Sequence, residues 1–175
     1  GIKREVDALE ALSNLPSLES MVPRPLGHFG NEDEYAIVIS TGPSGFGPNR
    51  FGRYHRVLLD LLRDATKTTC CFAESDMYRS LQTSLESVRQ SLDPVFYDLL
   101  ARSAERLVPH IDRLDIQLSA AHRDFGPWNT KQHDDGRLFV YDWEGMLYQA
   151  TPLYDFINFH FLNAVSRLAK GSDVR

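Results

Sequence analysis

Between residues 41 and 49 the chain reads Thr41-Gly42-Pro43-Ser44-Gly45-Phe46-Gly47-Pro48-Asn49, three glycines and two prolines in nine positions. Proline lacks the N–H that a helix or a ladder needs, and glycine loses the most freedom on being ordered. No regular element runs through such a stretch. It divides the chain into a front piece, 1–41, a linker, 42–50, and a larger piece, 51–175. Of the 175 residues, 42% are hydrophobic and 25% charged, enough apolar material for a core without disulfides or a structural metal.

Each piece has its own periodicity. In residues 3–13 the apolar Val6, Leu9 and Leu12 recur three apart among charges, which predicts a short amphipathic helix. Prolines 16, 23 and 25 then keep the chain extended, and 26–29 and 34–40 read as two strands around the turn Gly30-Asn31-Glu32-Asp33. Beyond the linker, Val57, Leu58, Leu61 and Leu62 share one side of a helix over 52–64. A weaker helix spans 76–90, and Asp93-Pro94, an N-cap followed by proline, starts another that runs to about 108. Ile116, Leu118 and Ala120 alternate into His122 as a strand. Asp134-Asp135-Gly136 turns a hairpin between 130–133 and 137–141. After Pro152 a last helix carries Phe156, Ile157, Phe159, Phe161 and Leu162, so apolar that burial on most sides is expected.

A formal charge of −5, with no dense Lys/Arg run, argues against nucleic acid as the partner. Cys70 and Cys71 are adjacent, and a bridge between them would be strained, so reduced thiols packed in the core of a cytoplasmic protein are expected. No run of about 18 apolar residues predicts a membrane-spanning helix, and the opening Gly1-Ile2-Lys3-Arg4-Glu5 does not read as a signal peptide.

The chemistry concentrates in His122-Arg123-Asp124-Phe125-Gly126-Pro127-Trp128-Asn129 and, 13 residues on, in Asp142. A carboxylate, an amide five positions later and a second carboxylate beyond a hairpin suit phosphoryl transfer. The first orients a hydroxyl, while the amide and the second carboxylate hold Mg²⁺ on nucleotide phosphates. Gly126-Pro127 allows the tight loop that brings Asp124 and Asn129 together. With each residue type at roughly one in twenty, His-x-Asp-x-x-x-x-Asn arises by chance about once in 8,000 starts, which makes an accident in a chain this short rare.

This segment resembles the kinase catalytic loop, His-Arg-Asp-x-x-x-x-Asn, followed by a metal-binding Asp. Asp142-Trp143-Glu144 and Pro152-Leu153-Tyr154-Asp155-Phe156 are similar to the aminoglycoside-phosphotransferase and choline-kinase family and unlike protein kinases. Arg123 departs from that family, whose members more often have Gly there. The resemblance implies an α+β protein-kinase-like fold, with the remainder of a small nucleotide lobe and a mainly helical large lobe. It implies ATP and Mg²⁺, with a hydroxyl of an aminoglycoside, sugar, choline or similar compound as acceptor. Asp124 and His122 would be catalytic, and Asn129 and Asp142 the metal ligands. Glu5 would pair with a phosphate-binding lysine, and Ile39, Ser40 and Thr41 would form the hinge facing adenine.

That family needs a glycine-rich strand pair and a lysine ahead of the Glu5 helix, and only four residues precede Glu5. Lys67, Lys131 and Lys170 fall elsewhere, so the front of the nucleotide lobe is expected to be missing and this chain alone, as a truncated relative, is expected to be inactive. A non-catalytic nucleotide-binding module of the same fold is the alternative, and a purely structural domain would make the 122–142 constellation incidental. Other candidates have plainer readings. His133-Asp134-Asp135 reads as a solvated turn, His28, His55, His110 and His160 as isolated histidines, and the 42–47 glycines as a linker that lacks the phosphate-loop pattern. Glu144 reads equally as a second metal ligand or a solvated carboxylate. Asp155 reads as a hydrogen-bond acceptor bracing the loop.

Overall fold

Helix α1, Ile2–Ser13, buries Val6, Ala8, Leu9 and Leu12 along one face, as the three-residue spacing predicts. In a computed structural model, which describes residues 2–30 and 35–172, the fold is mixed α+β with small antiparallel sheets. After α1 the chain buries Leu18, Met21 and Val22 before entering the hairpin of β1, Pro25–Gly30, and β2, Tyr35–Ile39. The turn expected between those strands, at Asn31-Glu32-Asp33, lies outside the described residues. Arg24 and Ser40 close the base of the hairpin. The Ser40 N–H donates to the Arg24 carbonyl, and the Arg24 N–H donates to the Ser40 hydroxyl, each at 2.9 Å.

The linker is not a free tether. The Gly47 N–H donates to the Thr130 carbonyl at 2.8 Å, and a Cβ on Gly47 would stand 1.8 Å from the Thr130 hydroxyl oxygen. Only glycine permits so close an approach. The linker therefore lies pinned along the hairpin of β5, Thr130–Gln132, and β6, Leu138–Val140, which was read from its Asp-Asp-Gly turn.

The larger piece opens with α2, Arg53–Thr66, whose Leu58 and Leu62 are buried while Val57 faces outward. Helix α3, Asp76–Val88, is capped by the Ser75 hydroxyl, which accepts from the Tyr78 N–H, and α4, Pro94–Ile111, by Asp93, which accepts from Val95. Three strands form an antiparallel sheet in the order β3-β4-β7: β3, Thr68–Cys71, β4, Asp115–Ala121, and β7, Leu147–Ala150. Only β4 was predicted. Four-residue strands such as β3 and β7 carry too few positions for a two-residue period to show. Cys70 and Cys71 sit half-buried on β3 as free thiols, and Cys71 donates to the Asp112 carbonyl.

The core draws on all these pieces. Leu9, Leu12, Leu18 and Met21 from the front pack with Leu58, Leu62, Ala120, Phe125, Val140, Trp143 and Phe159. Helix α5, Tyr154–Ser172, corrects the expectation of burial on most sides: Phe159 and Asp155 are buried, but Phe156, Ile157, Phe161 and Val165 are exposed. Composition predicted how apolar the helix is; how many neighbours reach it is a tertiary matter, and a single face is covered. Among the described residues no helix is long and apolar enough to cross a membrane.

His55 sits at this α2–α5 contact. Its ring stacks on Phe51 at 5.1 Å and meets Phe159 edge-on at 4.9 Å, and Nδ1 accepts the Gly52 N–H at 3.1 Å. It is a core histidine, and burial lowers its pKa to about 4. A base whose folded pKa is depressed stabilises fully above its unfolded value of 6.5, and that stabilisation is lost as pH falls towards 4. The unfolding free energy of the wild type relative to His55→Phe should therefore drop by on the order of 3 kcal/mol between pH 7 and pH 4. Paired denaturant titrations across that range check this, and parallel curves would contradict it.

Candidate functional site

Strand β4 ends in four buried residues, Leu118 to Ala121, and delivers His122 to the interior. The next residue, Arg123, has φ 74, a left-handed conformation that costs a non-glycine residue about 1–2 kcal/mol. Two residues of the first turns of α5 hold it there. Asp155 accepts the His122 N–H at 2.7 Å and the Arg123 N–H at 3.0 Å, one on each carboxylate oxygen, and Asn158 donates to the Arg123 carbonyl. Asp155 is only 3% exposed. Desolvation pushes its carboxyl above the ordinary range, while His122 and the two backbone donors pull the other way. Bracing the loop is the role read for it from the sequence.

His122 is itself a strut. Its Nδ1 accepts the Asp124 N–H at 3.2 Å, which leaves the ring proton on Nε2 for the Tyr141 carbonyl at 2.9 Å. The ring is buried and packs edge-on against Trp143 at 4.6 Å. Both nitrogens are committed to backbone groups, so the catalytic role expected of His122 gives way to a positioning one. It ties the Asp124 loop to the strand that leads into Asp142.

The Asp124 side chain is exposed and held from two sides. Asn129 Nδ2 donates to its Oδ2 at 2.8 Å and to its backbone carbonyl at 3.0 Å, while Trp128 Nε1 stands 3.3 Å from both carboxylate oxygens. The loop closes through a turn of 3-10 helix over Pro127–Asn129, with the Asn129 N–H on the Gly126 carbonyl. A Cβ on Gly126 would lie 2.5 Å from the Trp128 ring, so glycine is required here for close approach. Because the Asn129 nitrogen is spent on Asp124, its amide oxygen is the group left for a cation.

Tyr141 carries the chain from β6 to the second carboxylate. Its N–H reaches the Asn129 carbonyl at 3.2 Å and its hydroxyl reaches the Trp128 carbonyl at 2.5 Å, so the two carboxylate-bearing segments are cross-tied. Asp142 follows with φ 66. Glu5 of α1 comes to this turn: burial raises its pKa, repulsion from Asp142 and Glu144 adds to the rise, and the N–H groups of Trp143 and Asp142 oppose it. The structure thus sets Glu5 against the Asp142 turn, a placement that nothing in its local sequence announces.

Ile39, Ser40 and Thr41, expected to face adenine, line a cavity of about 310 Å³ together with Phe139 and Tyr141. Lys131 also lines it, with Nζ 5.7 Å from the centre of the Tyr141 ring. In sequence, Lys131 falls away from the place of a phosphate-binding lysine. Its position on β5 two residues after Asn129, alternating with the buried Thr130, was the available signal. The His133-Asp134-Asp135 turn is structural, with Asp135 paired to Arg137 and His133 against the Ser20 carbonyl.

An amide oxygen and a carboxylate are hard donors suited to Mg²⁺. Among the described residues no group of three or more His, Cys, Asp or Glu could enclose a metal, so a cation here would draw most of its ligands from water and from phosphates. No family model, curated protein or solved structure matches the chain.

Asp155→Asn keeps the shape of the side chain but replaces one acceptor oxygen with a donor facing a backbone N–H. It should destabilise the protein by about 2–4 kcal/mol, the cost of an unmet buried donor plus the released Arg123 turn. Equilibrium unfolding in urea measures this, and a loss under about 0.5 kcal/mol would show that the loop is held by other means.

Proposed function

We propose that the chain is an ATP-dependent phosphotransferase with a kinase-like fold that moves the γ-phosphate to a hydroxyl of a small molecule. The observation that carries this reading is the Asn129 amide, which holds the exposed Asp124 carboxylate through its nitrogen and keeps its oxygen for a cation. Asp124 would accept or orient the acceptor hydroxyl, and Asn129 and Asp142 would hold Mg²⁺, which neutralises charge on the phosphates when bound. The cavity bordered by Ile39, Ser40 and Thr41 lies beside Tyr141, next to Asp142, a fitting place for a nucleotide base with its phosphates towards the metal ligands. His122, Asp155 and Trp128 keep the carboxylates in place.

One observation favours a second reading, a nucleotide-binding module without transfer. The Glu5 carboxyl is met by the backbone N–H groups of Asp142 and Trp143, where a transferase of the resembled family would use it to hold a lysine. Nucleotide binding is common to both readings, and turnover separates them.

Two measurements test the proposal. Asp142→Ala should abolish most of the Mg²⁺-dependent gain in ATP affinity, because the cation bridges that carboxylate to the phosphates. Calorimetric titrations of ATP with and without Mg²⁺ read this directly, and an equal gain in wild type and variant would remove Asp142 from the metal site. In a chain that carries the glycine-rich strands and lysine this reading requires, Asp124→Asn should leave ATP affinity nearly unchanged and lower kcat by about 10²–10⁴ in a radiolabelled phosphoryl-transfer assay over a panel of hydroxyl compounds. Near-normal turnover would show that Asp124 is not the base, and a wild type that binds Mg²⁺-ATP without any transfer would favour the binding module.

A further inference from the structure

A second cavity, of about 530 Å³, opens on the outer side of the Asp124 loop, between the linker and α5. We infer that it is the acceptor site and that the acceptor is a neutral, hydroxyl-bearing ring, a sugar without amino groups; the inference rests on the phosphotransferase reading.

Two aromatic side chains line the cavity. Trp128 is partly exposed, and its Nε1 lies 3.3 Å from each Asp124 carboxylate oxygen, so a ligand against this wall is beside the expected base. Phe46 is 90% exposed, which core packing does not explain. Its backbone is anchored next door, because Gly47 is bonded to Thr130 and sits too close for any side chain. The polar groups on the lining are Asn49, Asn163 and Ser166. Asn163 uses its amide nitrogen on the Phe159 carbonyl at 2.8 Å, which leaves its oxygen as an acceptor. None of the described lining residues is ionisable.

This combination selects among the acceptor classes. An aminoglycoside brings several ammonium groups; Asp124 could meet one of them, and among the described lining residues no carboxylate meets the others. A quaternary amine would gain from the aromatic faces but would leave the two amides and the hydroxyl without partners. A neutral sugar ring meets both demands. Its C–H face packs on the negative face of an aromatic ring, and its hydroxyls both donate to and accept from amides and a serine. The volume lies within the range of small-ligand sites.

The test follows the indole N–H signals of the two tryptophans by NMR, with the buried Trp143 as internal control and Trp128→Phe to assign them. Methyl glucoside, methyl galactoside and methyl riboside are titrated beside kanamycin and choline. At least one glycoside should shift the Trp128 signal saturably while Trp143 stays put, with kanamycin and choline at least about tenfold weaker. Phe46→Ala and Asn163→Ala should each weaken that glycoside about tenfold, with far-UV circular dichroism confirming that both variants fold. The inference is overturned if none of the three glycosides shifts Trp128, if kanamycin or choline matches the best of them, or if both variants bind as well as wild type. Mg²⁺-ATP is titrated in the same samples to keep the two readings apart. Glycoside binding without Mg²⁺-dependent nucleotide binding would sink the phosphotransferase reading and leave a sugar site. Nucleotide binding without any glycoside would sink the sugar inference alone.

Discussion

The Asp155 carboxylate, buried at the start of α5 and accepting the N–H groups of His122 and Arg123, is the constraint on which the candidate site depends. Without it the left-handed turn at Arg123 keeps only the Asn158 amide on its carbonyl, and two backbone N–H groups lose their buried acceptor. That turn aims His122 inward and brings Asp124 out to solvent. The arrangement carries its own cost, because desolvation works against the Asp155 charge. A buried carboxylate with two backbone donors is retained here for the geometry it enforces, and its worth cannot be read as simple stabilisation.

From that anchor the remaining ties follow in sequence. His122 spans from the Asp124 N–H to the Tyr141 carbonyl, and Tyr141 returns to Asn129 and Trp128 through its N–H and its hydroxyl. Asn129 closes the circuit on Asp124. Each bond is of ordinary strength, about 0.5–1.5 kcal/mol net, but their members share partners and stand or fall together. Position is what such a network supplies, since a carboxylate misplaced by about 1 Å can cost two orders of magnitude in rate. The hydrophobic packing of Phe125 and Trp143 beneath it keeps the two segments at a constant separation.

Much of this is legible in the sequence. The helix start at Asp93-Pro94, the Asp134-Asp135-Gly136 turn and the spacing from Asp124 to Asn129 all rest on chemistry that acts within a few residues. The bracing role expected of Asp155 matches the two backbone N–H groups it accepts. What local rules could not show was contact between distant segments. Strands β3 and β7 take shape by pairing with β4, and neither has an alternation of its own. His122 was a catalytic candidate through the resemblance to a kinase loop; its two backbone partners, one of them nineteen residues away, place it as a strut. The exposed apolar face of α5 was misread for a similar reason, since composition records how apolar a helix is and says nothing of what reaches it.

The sequence by itself determined the order of the candidate site residues, the cap at Asp93-Pro94, the turn at Asp134-Asp135-Gly136 and the loop that sets Asp124 and Asn129 side by side. These follow from steric and hydrogen-bonding preferences within short stretches of chain. Tertiary structure alone decided that Glu5 meets the Asp142 turn, that Lys131 borders the cavity of Ile39, Ser40 and Thr41, and that Phe46 stands across from the Asp124 loop. Those placements depend on how a pinned linker and a shared core bring together residues as far apart in the chain as Glu5 and Asp142. No short-range preference encodes that, because the energy selecting it is the burial and packing of the whole set at once.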